Sequence, residues 1–364
     1  MMLGSLLSAT VLGALLVAST TALRLAVAPN ATADAAMLPA CRMLGTGGVG
    51  RIVAVGDIHG SAIGLREILL AANIIDSVDS CTWSTLALNK HTTLVQMGDL
   101  VDRGNEALEA WQCLDKLHET MPDDGNFIRI IGNHEMWWME NKLHMRNKEA
   151  DTKEKVLTLV RRMKSQIASK ELVGAHVIEV NNVPLLFVHA GYRATYLAAS
   201  PTTDAKGLAV LFNDALTDSL KTCPKDWSPC DFDRYGELFQ AGPERGGGHL
   251  GGPVWTDFSV LVADDVANGL LNSPWRWIQV VGHSAAYCDD GDESNGFPDM
   301  GHCPDLIRAT ADVESVCVDG GMVYGTRSYL EIDLSSGAMR AHEKEGLSTA
   351  WKVRQLNGPS LCAR

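Results

Sequence analysis

Three stretches decide the fold: RIVAVGDIHG at Arg51–Gly60, TTLVQMGDLVDRG at Thr92–Gly104, and FIRIIGNHE at Phe127–Glu135. Each opens on an apolar, β-rich run and closes on a small turn carrying a metal-ligand type of residue. Ile52–Val55, Thr92–Met97 and Phe127–Ile131 therefore read as strands, and Ile63–Leu70 and Ala107–Leu117 between them carry helical spacing. Such a β–α–β–α–β succession predicts an α/β fold with a largely parallel central sheet and helices on its faces. Pro184–Val188, Trp277–Val281, Ser315–Val318 and Tyr329–Ile332 read as later strands. The last two are close in sequence with turn residues between them, which predicts an antiparallel part.

The rest of the chain bounds the function. It has 364 residues, 46% hydrophobic and 21% charged, with 31 Lys and Arg against 44 Asp and Glu, a net charge of −13. That composition excludes a disordered chain, a collagen-like chain and a multi-span membrane protein. The acidic balance argues against nucleic acid as the main partner, because a phosphate backbone requires a basic face. Met1–Leu23 of the leader holds no charged residue, and its apolar run Val11–Val17 is followed by the small residues Ser19–Ala22. A signal peptide within residues 1–36 is the first expectation, placing the protein in the secretory pathway or outside the cell. A retained membrane anchor and a two-part plastid leader are the alternatives, so a membrane enters only if the leader stays.

Nine cysteines fit an oxidising compartment. Cys223 with Cys230, and Cys288 with Cys303, bracket loop-like sequence and are expected as disulfides. Cys113 lies in a helical pattern and is expected as a buried free thiol. Asn30-Ala31-Thr32 is a glycosylation sequon. Lys142–Lys170 carries nine Lys or Arg against three Asp or Glu, with helical spacing at Val156, Leu159, Val160 and Met163. It reads first as a solvated helical insertion, about residues 140–175; the second, compatible reading is a basic cap that steers an anionic substrate. The catalytic domain is then residues 45–345, followed by a tail, 346–364.

Five strand ends carry the chemistry. They present Asp57 and His59, Asp99, Asn133 and His134, His189, and His283, each in a small turn that contains a glycine. In open α/β sheets such groups gather at the carboxyl ends of the strands, so residues distant in sequence converge there. GDIHG, GDLVDRG, GNHE, HAG and GHS stand in this order in the calcineurin-like metallophosphoesterases, and the chain resembles that family from Arg51 to about Leu334. Within it, GNHEM, Phe187–Gly191, Gly252-Pro253-Val254-Trp255 and Tyr324-Gly325 with Tyr329–Ile332 resemble the Shewanella-like protein phosphatases.

The resemblance implies a β-sandwich flanked by helices with a two-metal site. Asp57, His59 and Asp99 would hold the first ion, and Asp99, Asn133, His189 and His283 the second. It implies a metal-bridging hydroxide attacking phosphorus in line. His134 would be the general acid, Asp102 its orienting carboxylate, and Arg103, with Asn133, a phosphate binder. Glu135 is expected in a supporting role. The mixed Asp, Asn and His set fits Mn first, with Fe or Zn as alternatives. The implied activity is metal-dependent hydrolysis of phosphate monoesters, on phosphoproteins first, with a small phosphoester or dinucleoside polyphosphate as the alternative substrate. Two departures stand out. Ala285 occupies the place where many members of the superfamily have a second His. Trp255-Thr256-Asp257 has no Arg where the nearest relatives often carry one, leaving Arg193 and Arg245 as substitutes. Asp289–Glu293 reads as a surface loop rather than a calcium loop, and Trp137-Trp138 either lines a groove or packs in the core.

Overall fold

Alternation along the strands builds a layered fold. In β1 (Arg51–Val55) every residue is buried. Ile52 and Ala54 point to one face of the sheet, Val53 and Val55 to the other, as the two-residue period of a strand requires. Ile52 and Ala54 join a core with Val95, Ile130, Leu185, Phe187, Val280 and Val316. Val53 and Val55 join a second core with Leu65, Ile68, Trp111 and Leu114 of the helices. A strand apolar on both faces is the expected signature of a sheet covered on both sides. The computed structural model describes residues 50–121, 126–225, 228–267, 277–286, 305–310, 314–344 and 348–356.

The first sheet runs β1, β2 (Thr92–Gln96), β3 (Asn126–Ile130) and β4 (Leu172–Val173) in parallel. It is interleaved by α1 (Ala62–Ala71), α2 (Thr85–Asn89), α3 (Ala107–Glu119), α4 (Asn133–Met139) and α5 (Lys153–Ser169). The second sheet is β5 (Ala175–Val180), β6 (Val183–Val188), β7 (Ile278–Val281), β9 (Ser315–Cys317) and β8 (Arg308–Ala309), in that spatial order. The helices α6 (Ala194–Ala199), α7 (Ala205–Ser219) and α8 (Phe258–Ala267) lie between β6 and β7 in sequence. β10 (Arg327–Asp333) then returns to pair antiparallel with β1, followed by β11 (Met339–Lys344) and β12 (Lys352–Gln355). The result is a seven-stranded and a five-stranded sheet, both mixed, flanked by helices.

Several expectations are refined here. An antiparallel part exists, but Ser315–Cys317 and Arg327–Asp333 do not pair with each other: they lie in different sheets. The glycine-rich stretch between them is a crossover, not a hairpin. The basic segment is the crossover between parallel strands β3 and β4. Its helix α5 buries Val156, Leu159, Val160, Met163 and Ile167, as the spacing predicts. Its charges are largely engaged: Arg162 with Asp115, Lys155 with Glu109, and Lys164 with the carbonyls of Cys223, Lys225 and Ser228. The stretch read as a tail contributes the edge strand β12.

Cys223 and Cys230 are bridged as expected, but Cys113 is not a free thiol: it is bonded to Cys81. The Trp83 indole donates to Leu117 O at 2.8 Å, pinning the loop after α1 against the inner face of α3 and bringing the two sulfurs together. Among the described residues the free cysteine is Cys317, which is buried. The leader, Asn30, the Cys288–Cys303 pair and Asp289–Glu293 lie outside the described residues. Among those residues no helix is long and apolar enough to cross a membrane.

Candidate active site

The turns after β1, β2, β3, β6 and β7 meet at one place. After β1 the amides of Ile58 and His59 donate to Asp99 O at 3.0 and 2.8 Å, and Gly60 N donates to Leu100 O at 2.7 Å. These bonds lock the first turn onto the second. The second and third turns are locked by Glu135. Its carboxylate accepts the amides of Gly132, Asp99, Leu100 and Val101 at 2.7–3.2 Å. Four amide donors on one buried carboxylate leave it no reach toward an ion, which gives the supporting role expected for it a concrete form.

Close approach explains two glycines. A Cβ on Gly132 would lie 2.0 Å from Asp99 Oδ1, and one on Gly282 would lie 2.5 Å from Asp57 Oδ1. The candidate ligands also carry unusual backbone. His59, Asp99, Asp102, Arg103 and His283 all have φ between 45° and 70°. Left-handed backbone in non-glycine residues costs energy and persists where surrounding bonds over-determine it.

The side chains converge. His189 Nε2 and His283 Nδ1 each lie 3.0 Å from Asn133 Oδ1, and His189 Nε2 lies 3.4 Å from Asp99 Oδ2. On the other side of Asp99, His59 Nε2 is 3.6 Å from Asp99 Oδ2 and 3.9 Å from Asp57 Oδ2. Two groups able to hold an ion therefore share Asp99: one with His59 and His134, the other with His189 and His283. Imidazole tautomers are fixed from behind. His59 Nδ1 meets Val101 O at 2.8 Å and His189 Nδ1 meets Met97 O at 2.7 Å, which leaves each Nε2 for an ion.

Electrostatics suit cations. Burial, then the carboxylates of Asp319 and Asp99, push the Asp57 carboxyl well above its ordinary range. Burial acts on Asp99 in the same sense, but His189 and His134 outweigh it and hold Asp99 well below. Burial, reinforced by His134, drives His59 well down, and burial with His189 and Arg245 does the same to His283. Neutral imidazoles are the metal-binding form. Asp57 Oδ2 is buried without a hydrogen-bond donor. Oxygen and imidazole donors in this mixture fit a borderline or hard divalent ion.

His134 and Asp102 form a dyad, with Nδ1 and Oδ2 2.5 Å apart. The other Asp102 oxygen accepts from the Trp138 indole at 2.7 Å. His134 Nε2 faces Arg103 Nη2 at 3.5 Å and Asp99 Oδ2 at 3.8 Å. Arg103 Nη1 donates to the Tyr324 hydroxyl at 2.6 Å. Of the two roles anticipated for the adjacent tryptophans, both residues take core packing. Trp138 is buried and braces Asp102, whereas half-buried Trp137 stands beside His134, His144 and Trp255 with ring centroids 4.4–5.0 Å away.

Three arginines, Arg103, Arg245 and Arg308, line a cavity of about 190 Å³ together with His59, His283 and Asp319. Of the two proposed substitutes, Arg245 is therefore at the site, its guanidinium forked onto Asp257. Arg193 is engaged with Asp264 and the carbonyl of Leu250. Arg308 and Asp319 were not anticipated. Asp319 stands two residues past β9, as Asp57 stands two past β1, with its glycine after it rather than before it, and this strand end was there to be found. Arg308 has no sequence signal.

Comparison with known proteins agrees with this geometry. The calcineurin-like phosphoesterase family matches residues 50–254. Over 91 residues the chain is 38% identical to Shewanella-like protein phosphatase 2 of Arabidopsis thaliana. Over 87 residues it is 37% identical to Shewanella-like protein phosphatase 1 of Plasmodium berghei. These matches span 25% and 24% of this chain, and 22% of each relative. The fold superposes on a cold-active protein-tyrosine phosphatase of a psychrophilic Shewanella sp. with a TM-score of 0.55 at 18% identity, over 85% of this chain and 81% of that one. With two candidate ion sites sharing one aspartate, on this fold and with these motifs, the chain belongs to the calcineurin-like phosphoesterase family.

Proposed function

We propose that the chain hydrolyses phosphate monoesters on phosphoproteins. The observation that carries this reading is the Asp102–His134 dyad beside the ligand cluster, with Arg103 at its open side. The likeness to Shewanella-like protein phosphatases supports the substrate class. Asp57, His59 and Asp99 would hold one ion, and Asp99, Asn133, His189 and His283 the other; two divalent ions there, Mn first among the candidates, would supply charge neutralisation of the phosphoryl group and acidify a water. The chain's own groups do the rest. Arg103 binds a phosphate oxygen pair, oriented by Tyr324. His134 delivers a proton from Nε2 to the departing alkoxide or phenoxide, and Asp102 fixes its ring and stabilises its charged form. Trp137 offers an aromatic wall on the leaving-group side. The two disulfides support an oxidising location for the mature protein.

Metal-reconstituted protein assayed on a panel of phosphoserine, phosphothreonine and phosphotyrosine peptides, alongside dinucleoside polyphosphates, tests the substrate class. Turnover on peptides at least about tenfold above nucleotides is the expected result. The reverse order would reassign the chain to small phosphoesters.

A further inference from the structure

The turn after β9 places a second carboxylate against Asp57. Asp319 is 2% exposed. Its Oδ1 accepts the Gly321 amide at 2.9 Å, and its carbonyl accepts the Ala286 amide at 3.1 Å. The first bond closes the turn after β9 on itself, and the second fastens it to the turn after β7, next to Ala285. The turn after β9 lies directly against the one that carries Asp57: a Cβ on Gly56 would stand 2.8 Å from Asp319 Cα. Ionised carboxylates only accept, so neither can satisfy the other. Two of them buried side by side repel unless a proton or a cation comes between them. Arg308 is near, but its Nη2 is turned to Ser284 O and to Cys317 Sγ. Asp57 Oδ2 keeps no donor.

Asp319, Ala285 and His59 line the same cavity. Ala285 stands where a second imidazole would complete the first ion's ligands, and Asp319 reaches that side of the cavity from another strand. We propose that Asp319 is a further carboxylate ligand of the first ion, on the side that Ala285 leaves bare. The inference rests on the two-ion reading of the site. It makes the five-stranded sheet contribute to both ions rather than to one.

The test is a Mn²⁺ titration of the chelator-stripped full chain, followed by calorimetry and by the EPR signal of spin-coupled manganese pairs. Wild type takes up two ions and shows the coupled signal. Binding of one ion or none to wild type would refute the two-ion reading itself. Asp319→Asn should bind one ion at wild-type affinity and the other about 10–100-fold more weakly or worse, with a mononuclear signal at stoichiometric metal. Adding Ala285→His to that variant should restore part of the lost affinity. Unchanged affinity for both ions in Asp319→Asn would overturn the proposal. Should Asp319→Asn not fold, Asp319→Glu carries the same test, because it keeps the charge and shifts it by one carbon. Weakened binding of one ion alone then supports the assignment, and two unaltered affinities refute it.

Discussion

The two sheets bring different chemistry to the same site. Turns of the seven-stranded sheet supply Asp57, His59, Asp99, Asn133 and the Asp102–His134 dyad. Four of the five left-handed site residues, His59, Asp99, Asp102 and Arg103, belong to it. Turns of the five-stranded sheet supply His189 and His283, with a single left-handed residue, His283. One layer thus holds the bridging carboxylate and the proton donor in an over-determined backbone. The other contributes imidazoles that close onto it, through contacts such as His189 and His283 with Asn133 Oδ1. The difference teaches where precision is needed: the groups proposed to act on phosphate sit where the backbone is most constrained, as preorganised catalysis requires.

The largest effect expected is at the shared carboxylate. Asp99→Asn should lose both ions together and reduce hydrolysis by on the order of 10³-fold or more. Two retained metals with near-normal turnover would break the division between the layers at its centre. His134→Asn comes next. It should slow phosphoserine hydrolysis by ~10²–10⁴-fold while sparing nitrophenyl phosphate, whose leaving group departs without a proton. Metal content, read by elemental analysis, should not change. Equal loss on both substrates would make His134 a binding residue, and loss of metal would make it a ligand, as its 3.8 Å distance to Asp99 allows.

Stability separates the layers more finely. The Cys81–Cys113 bridge closes 32 residues beside the seven-stranded sheet, and Cys223–Cys230 closes only 7. Replacing the first pair by serine should cost up to about 4 kcal/mol in denaturant melts, and replacing the second pair less, under about 3 kcal/mol. The reverse order would mean that loop closure is not what these bridges control. Glu135→Gln is the smallest change in shape. It turns one acceptor into a donor among four amides and should destabilise the chain by about 2–3 kcal/mol. A variant as stable as wild type would show that the turns after β2 and β3 do not depend on that carboxylate.

Much of this was legible in the sequence because strand-end chemistry is local. Gly-Asp, Gly-Asn-His and Gly-His each carry their turn and their ligand within three residues, so Asp57, Asp99, Asn133, His189 and His283 could be named before any fold was known. What stayed hidden depends on distant packing. Cys113 finds Cys81 only because Trp83 anchors one loop to α3. Ser315–Cys317 and Arg327–Asp333 part company because the pairing of β10 with β1 is decided by the sandwich core, not by the linking turn. Arg245 reaches the site on a fork to Asp257, twelve residues away and with no periodic signal. Asp319 differs from these: its Asp-Gly pattern is local, and only the count of strand ends fell short.

The contact between Trp137 and Trp255, with centroids 4.8 Å apart beside His134 and His283, has an optical consequence. Two indoles this close exchange excitation, and a neighbouring protonated imidazole quenches their emission. The pair is therefore an intrinsic fluorescence reporter beside His134 and His283, readable without any added dye.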